Sequence, residues 1–190
     1  GCNITTGDRN TYVGSCAGRG GNGSDNVAIG RAAMFLDGGA SNNIGVGLCA
    51  LRGAASSTGG NNIGVGRCAL LNITSGEQNM ALGDAPLFCL TTGSRNVGIG
   101  PNTGRYVTGS DNLLFGNSAG CGIVNGSNNV AIGRYAMRTA TNNGTGQRNV
   151  AIGENALNVN TSGCNNIAIG FCANKAGTAD VLVVAGGGAG

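Results

Sequence analysis

Asn26-Val27-Ala28-Ile29-Gly30 recurs letter for letter as Asn129-Val130-Ala131-Ile132-Gly133 and as Asn149-Val150-Ala151-Ile152-Gly153. Looser copies of the phrase begin at Asn10, Asn43, Asn62, Asn79, Asn96, Asn112 and Asn166, and every copy ends in Gly four residues on. The spacing from one phrase Asn to the next varies between sixteen and twenty. Nine of the ten copies carry a further Gly three residues before the Asn, with Ala40 the exception. Positions are counted from the Asn of each phrase, so that Val27 stands at +1 and Gly30 at +4.

The columns have physical content. Position +1 is apolar in nine copies, with Thr11 the outlier, and position +3 is apolar in all ten. Between them stands Ala or Gly in eight copies, with Tyr12 and Leu114 departing. Large, mostly β-branched residues alternating with small ones have the period of a short strand. The small residue on the second face implies that another backbone comes close there, and the columns predict that this is where neighbouring chains meet. Position +7 is Ala in eight copies, often followed by Leu or Met, and a Ser/Thr/Asn/Gly stretch then leads to the next copy. One repeat is therefore a strand, a glycine corner, a second apolar segment and a polar turn.

A unit of about 17 residues is too short for a strand and a helix, and fits one coil of a β-solenoid, whose coils bury apolar faces only by stacking. The reading is all-β: a parallel β-solenoid or β-roll of about ten coils over residues 1–174. At an inter-strand spacing of about 4.8 Å the rod would be roughly 50 Å long. Asn3-Ile4-Thr5-Thr6-Gly7 matches Asn72-Ile73-Thr74-Ser75-Gly76, so the chain opens in mid-repeat and reads as a piece of something longer. Residues 175–190 lack the phrase and read as the start of a glycine-rich C-terminal module.

Stacking puts charges in register. Arg67 and Asp84 share a column in adjacent copies, as do Arg134 and Glu154, Arg9 and Asp25, and Arg95 and Asp111. Four outward cross-coil ion pairs are expected.

Composition narrows the function. The chain of 190 residues has 39 Gly, eight Cys, no His, no Trp, 10% charged residues and a net charge of +3. Without His and with only eight Asp and Glu, it lacks the usual material of a hydrolase or metalloenzyme. Aromatics at 4% and so small a charge do not make a nucleic-acid surface. The glycines are not at every third position, which excludes collagen, and 41% hydrophobic residues argue against disorder. No segment reaches the 18 apolar residues of a membrane span.

Asn-Val-Ala-Ile-Gly, at residues 26–30, 129–133 and 149–153, resembles the head repeat of YadA-like trimeric adhesins, and the same repeat written Thr-Gly-x-x-Asn-x-Ala-x-Gly-x-x-Ala-Leu is similar to the long arrays of bacteriophage tail-fibre and structural proteins. The resemblance covers about residues 3–174 and implies a left-handed β-roll, three chains wrapped around one axis. The stretch Ala179-Asp180-Val181-Leu182-Val183-Val184-Ala185-Gly186-Gly187-Gly188-Ala189-Gly190 resembles the opening strand of glycine-rich modules that follow such arrays in phage fibres.

Other columns offer further candidates. Four cysteines (Cys16, Cys49, Cys68 and Cys172) share position +6, and none of the eight lies in a C-x-x-C pair, so a zinc site is not expected. The bland reading is a small buried thiol beside the Ala column. The sharper one is a disulfide between consecutive coils, Cys49 to Cys68, which parallel side chains disfavour. Asp8, Asp25, Glu77 and Asp111 lie in the turns before the phrase Asn and read as exposed, Arg-paired acids rather than a glycosidase pair. The Asn column reads as structural: Asn tolerates left-handed backbone, and stacked Asn can form an amide ladder. The loops containing 54–58 and 139–144 lengthen two repeats and are expected to protrude.

No catalytic, cofactor-binding or metal-ligating residue is assigned. The expectation is a structural shaft or head segment of a viral fibre, at the virion surface or extracellular, taking part in host attachment. Its partners would be itself as a homotrimer, other virion or fibre proteins, and host surface glycan or receptor, without nucleic acid or membrane insertion. The alternative is the head of a bacterial trimeric surface adhesin; a solenoid enzyme acting on polysaccharide is a third, remote class.

Overall fold

A computed structural model describes residues 7–35, 38–53, 57–139, 144–159, 162–174 and 182–184. The half-repeat at Asn3, Cys2, most of the two long loops (54–56 and 140–143) and residues 175–181 and 185–190 lie outside the described residues.

Each phrase forms a three-residue strand. In chain order these are β1 (Thr11–Val13), β2 (Val27–Ile29), β3 (Ile44–Val46), β4 (Ile63–Val65), β5 (Met80–Leu82), β6 (Val97–Ile99), β7 (Leu113–Phe115), β8 (Val130–Ile132), β9 (Val150–Ile152) and β10 (Ile167–Ile169). They stack in sequence order as one parallel sheet, each residue opposite its counterpart in the next copy, for example Ile44↔Ile63 and Gly45↔Gly64. The glycine-rich stretch adds β11 (Leu182–Val184) to the same sheet, Leu182 opposite Ile167. The result is a parallel β-solenoid of about ten turns, and no described residue is helical.

The strands face the opposite way from the sequence expectation. The small column at +2 (Ala28, Ala81, Ala131, Ala151, Ala168) is fully buried inside the coil. A Cβ on Gly64 would lie 3.1 Å from Cγ of Leu51 and 3.3 Å from the carbonyl of Ala69, so the close backbone is the second segment of the chain's own coil. The large +1 and +3 side chains point outward. The +2 column therefore cannot be where chains meet. The physical reason is bore width. In most coils the Ala at +7 and the larger side chain that follows at +8, such as Met34, Leu51, Leu70, Leu87, Met137 or Leu157, also fold inward. In those coils the strand has room for one small side chain.

The corners depend on left-handed backbone. The +4 glycines have φ between 124° and 133°. A Cβ on Gly47 would lie 2.5 Å from the carbonyl oxygen of Gly66 in the next turn, so neither conformation nor space admits a side chain. The same left-handed region is occupied at −1, +6 and +8 by Asp25, Cys49, Leu70, Tyr135 and their column mates, at φ between 47° and 61° for the non-glycine members.

The Asn column is the buried polar spine. From Asn26 to Asn166, each backbone N–H donates to Oδ1 of the preceding Asn at 2.8–3.1 Å. From Asn10 to Asn149, each Nδ2 donates to the −3 carbonyl of the next turn at 2.8–3.2 Å. Ala40 fits this scheme because the acceptor is a backbone carbonyl. The expected ladder is present, and the left-handed residue is the one before the Asn.

Candidate functional site

The outward strand face is the feature best suited to an encounter. Its +1 and +3 columns supply nineteen apolar side chains in twenty positions over β1 to β10. All are exposed or half-buried, reaching 54% exposure at Val13 and 50% at Phe115. Ten strands span about 43 Å along the rod. A ribbon two residues wide then has a footprint on the order of 400 Å², within the size range of the largest apolar patch on an ordinary monomer, a patch that is often functional.

A polar column at −1 borders the ribbon on one side and a mostly polar one at +5 on the other, where Leu48, Pro101 and Phe171 interrupt it. At −1, Arg9 Nε is 2.6 Å from Oδ1 of Asp25, and Arg95 Nε is 2.6 Å from Oδ1 of Asp111. At +5, Arg67 Nη2 is 2.6 Å from Oδ2 of Asp84, and Arg134 Nη1 is 3.2 Å from Oε1 of Glu154. All four expected cross-coil pairs are therefore in place. Hydrogen bonding from Arg9 holds the Asp25 carboxyl below its ordinary range, and Arg95 does the same for Asp111. An apolar strip with a charged margin has the anatomy of a protein interface, whose core is depleted in charge and whose rim is polar.

The remaining sequence candidates do not converge. Asp8 and Glu77 lie at −2 in different turns, and their main-chain N–H groups donate to Oγ of Ser24 and Ser94. No group of three or more His, Cys, Asp or Glu is placed to hold a metal among the described residues. The seven described cysteines are all free thiols. Those at +6 are not core thiols: Cys16 is exposed, and Cys49, Cys68 and Cys172 are half-buried. Left-handed backbone at +6 turns those side chains outward. Of the long loops, the described ends are tied into the rod. Ser57 and Thr139 are buried, and Gly144 bridges to Ile123.

The alternation of the phrase identifies every residue of the ribbon but, read alone, does not say which face of the strand the coil buries. The signal for the true direction is the Ala–Leu pair at +7 and +8, which already fills the bore. No family model, curated protein or solved structure matches the chain.

Proposed function

We propose that this chain is a rod-like structural segment of a viral fibre, which sets length and stiffness, associates as a homotrimer through its strand face, and takes part in host attachment. The apolar ribbon carries the reading. It runs the length of the ladder in register, and three such ribbons can cover one another around a common axis while the ion-paired columns stay in water. The resemblance of the Asn-x-Ala-x-Gly phrase to fibre and adhesin arrays supports the viral setting.

Light scattering on the purified chain tests the association. A mass of three times 18.5 kDa is expected, and Ile99→Lys with Ile132→Lys should shift the species towards monomer. A wild-type monomer at micromolar concentration overturns the association. Antibodies raised against the chain test the setting by immunogold labelling of particles and cells from the source material. Label on particle fibres is expected, and label confined to cell surfaces would assign the chain to a bacterial adhesin.

A further inference from the structure

The side of the solenoid away from the strand face carries a row of outward residues at +9: Arg19, Phe35, Arg52, Leu71, Phe88, Arg105, Cys121, Arg138 and Asn158. In the first three turns the Phe35 ring fills the gap between two arginines, with the guanidinium carbons of Arg19 and Arg52 at 5.4 and 5.6 Å from its centroid. Turns six to eight repeat the pattern as Arg105, Cys121, Arg138, with a short thiol where the ring would be. Ser118, also short, stands beside it at +6. The result is a notch of about 310 Å³ lined by Arg105, Arg138, Tyr106, Tyr135, Asn102, Ser118, Cys121 and Thr139.

The notch is cationic and rich in hydrogen-bonding groups. Among the described residues neither Arg105 nor Arg138 has an acidic partner, because Glu154 is taken by Arg134. Arg105 spends Nη1 on Oδ1 of Asn102 at 3.0 Å, while its buried Nε has no partner. Thr139 is 2% exposed and lines the notch, yet its Oγ1 has no hydrogen bond. A buried hydroxyl left without a partner destabilises by about 1–3 kcal/mol, so a donor or acceptor arriving there is favoured. Arg138 lies over the ring of Tyr135 at 4.9 Å, and Arg105 lies over those of Phe88 and Tyr106 at 5.2 and 5.7 Å. Burial raises the pKa of the Cys121 thiol against the pull of both arginines, which leaves it neutral at pH 7.

We propose that this notch binds one acidic sugar residue, its carboxylate held between Arg105 and Arg138 and its hydroxyls by Thr139, Ser118, Asn102 and the tyrosines. Guanidinium groups take carboxylates in charge-assisted, bidentate fashion. The volume sits at the lower end of small-molecule sites, about 300–1,000 Å³, which suits one ring rather than a chain of them. The biological role of the site rests on the host-attachment reading, but its chemistry does not. The notch lies outside the ribbon, past its +5 border, where Arg134 Nη2 donates to the Tyr135 hydroxyl of the notch wall at 3.4 Å.

Titration of the full chain with methyl β-D-glucuronide and methyl α-D-galacturonide, read by ligand-observed NMR, tests the site. At least one uronide should bind, at least tenfold more tightly than the matching neutral glycoside. Arg105→Gln and Arg138→Gln should each weaken it tenfold or more. Cys121→Phe should abolish it by restoring the Arg–Phe–Arg stack of the first three turns, with thermal unfolding and light scattering unchanged. Binding that survives Cys121→Phe overturns the proposal, as does equal affinity for the neutral glycoside or failure of both uronides. Inorganic phosphate competing as strongly as the uronide would reduce the site to a bare anion site and also overturn it. The trimer mass reports separately on the fibre reading.

Discussion

A Cβ on Gly120 would lie 2.7 Å from a terminal methyl of Leu114. The seventh turn thus compensates a large +2 residue with an absent side chain at +8. Tyr12 and Gly18 do the same in the first turn, where the added Cβ would meet the tyrosine ring at 2.5 Å. Both departures from the small +2 column therefore stand in coils that carry Gly at +8.

Leu114 and Gly120 should therefore be strongly coupled. Leu114→Ala alone is expected to destabilise by about 2–5 kcal/mol through the cavity it leaves. Gly120→Leu alone should destabilise by overpacking, about 1–3 kcal/mol. The double variant recreates the Ala81 and Leu87 arrangement of the fifth turn and should recover most of the loss. Urea unfolding of the four proteins measures the coupling; additive effects would refute the compensation.

Breaking the Asn spine in mid-rod should be among the most damaging polar changes. Asn96→Ala leaves the buried N–H of Asn112 without its acceptor and the carbonyl of Gly109 without the Asn96 amide. Each unsatisfied buried group costs about 1–3 kcal/mol. Asn10→Ala, at the start of the ladder, should cost less, because Asn10 is only half-buried. Denaturant midpoints of the two variants give the comparison.

Salt and acid should act weakly and only through the border columns. The pKa values of Asp25 and Asp111 are depressed in the folded chain. Their contribution is present above the unfolded carboxylate value of about 4 and is lost as pH falls through the folded value. Because these pairs are exposed and screened, unfolding midpoints should stay flat from neutral pH down to about pH 4. A fall beginning near pH 6 would point to a group not yet identified.

The thiols should react in the order of their exposure. Native alkylation followed by peptide mass spectrometry should label exposed Cys16 first. Cys121 and Cys89, whose pKa values burial raises, should label last. Their labelling rates should climb as pH rises through 9, since the thiolate is the nucleophile. Early labelling of Cys121 at neutral pH would contradict its half-buried place between Arg105 and Arg138 and its raised pKa.

Much of the site was legible in the primary structure. The ion pairs followed from column arithmetic alone, because a parallel in-register stack places like positions one strand apart. The notch did not. It depends on Cys121 and Ser118 being short between two turns with large side chains, and +9 could not be identified as an outward column until the coil had been closed.

The amino-acid sequence by itself determined the repeat, the parallel register, the Asn ladder and the charge pairs, since each follows from identical residues recurring at one spacing. The tertiary structure alone decided which face of each strand is inside. Alternation has period two and is symmetric between the faces, and only the side chains at +7 and +8, by filling the bore, break that symmetry. It also decided the left-handed backbone at +6 and +8, where Cys49, Tyr135, Leu70 and Met137 sit. Taken singly, left-handed backbone costs such residues roughly 1–2 kcal/mol. It persists because the stacked turns satisfy its backbone groups, as when Cys49 N–H donates to the carbonyl of Arg31 and Leu51 N–H to that of Ala69.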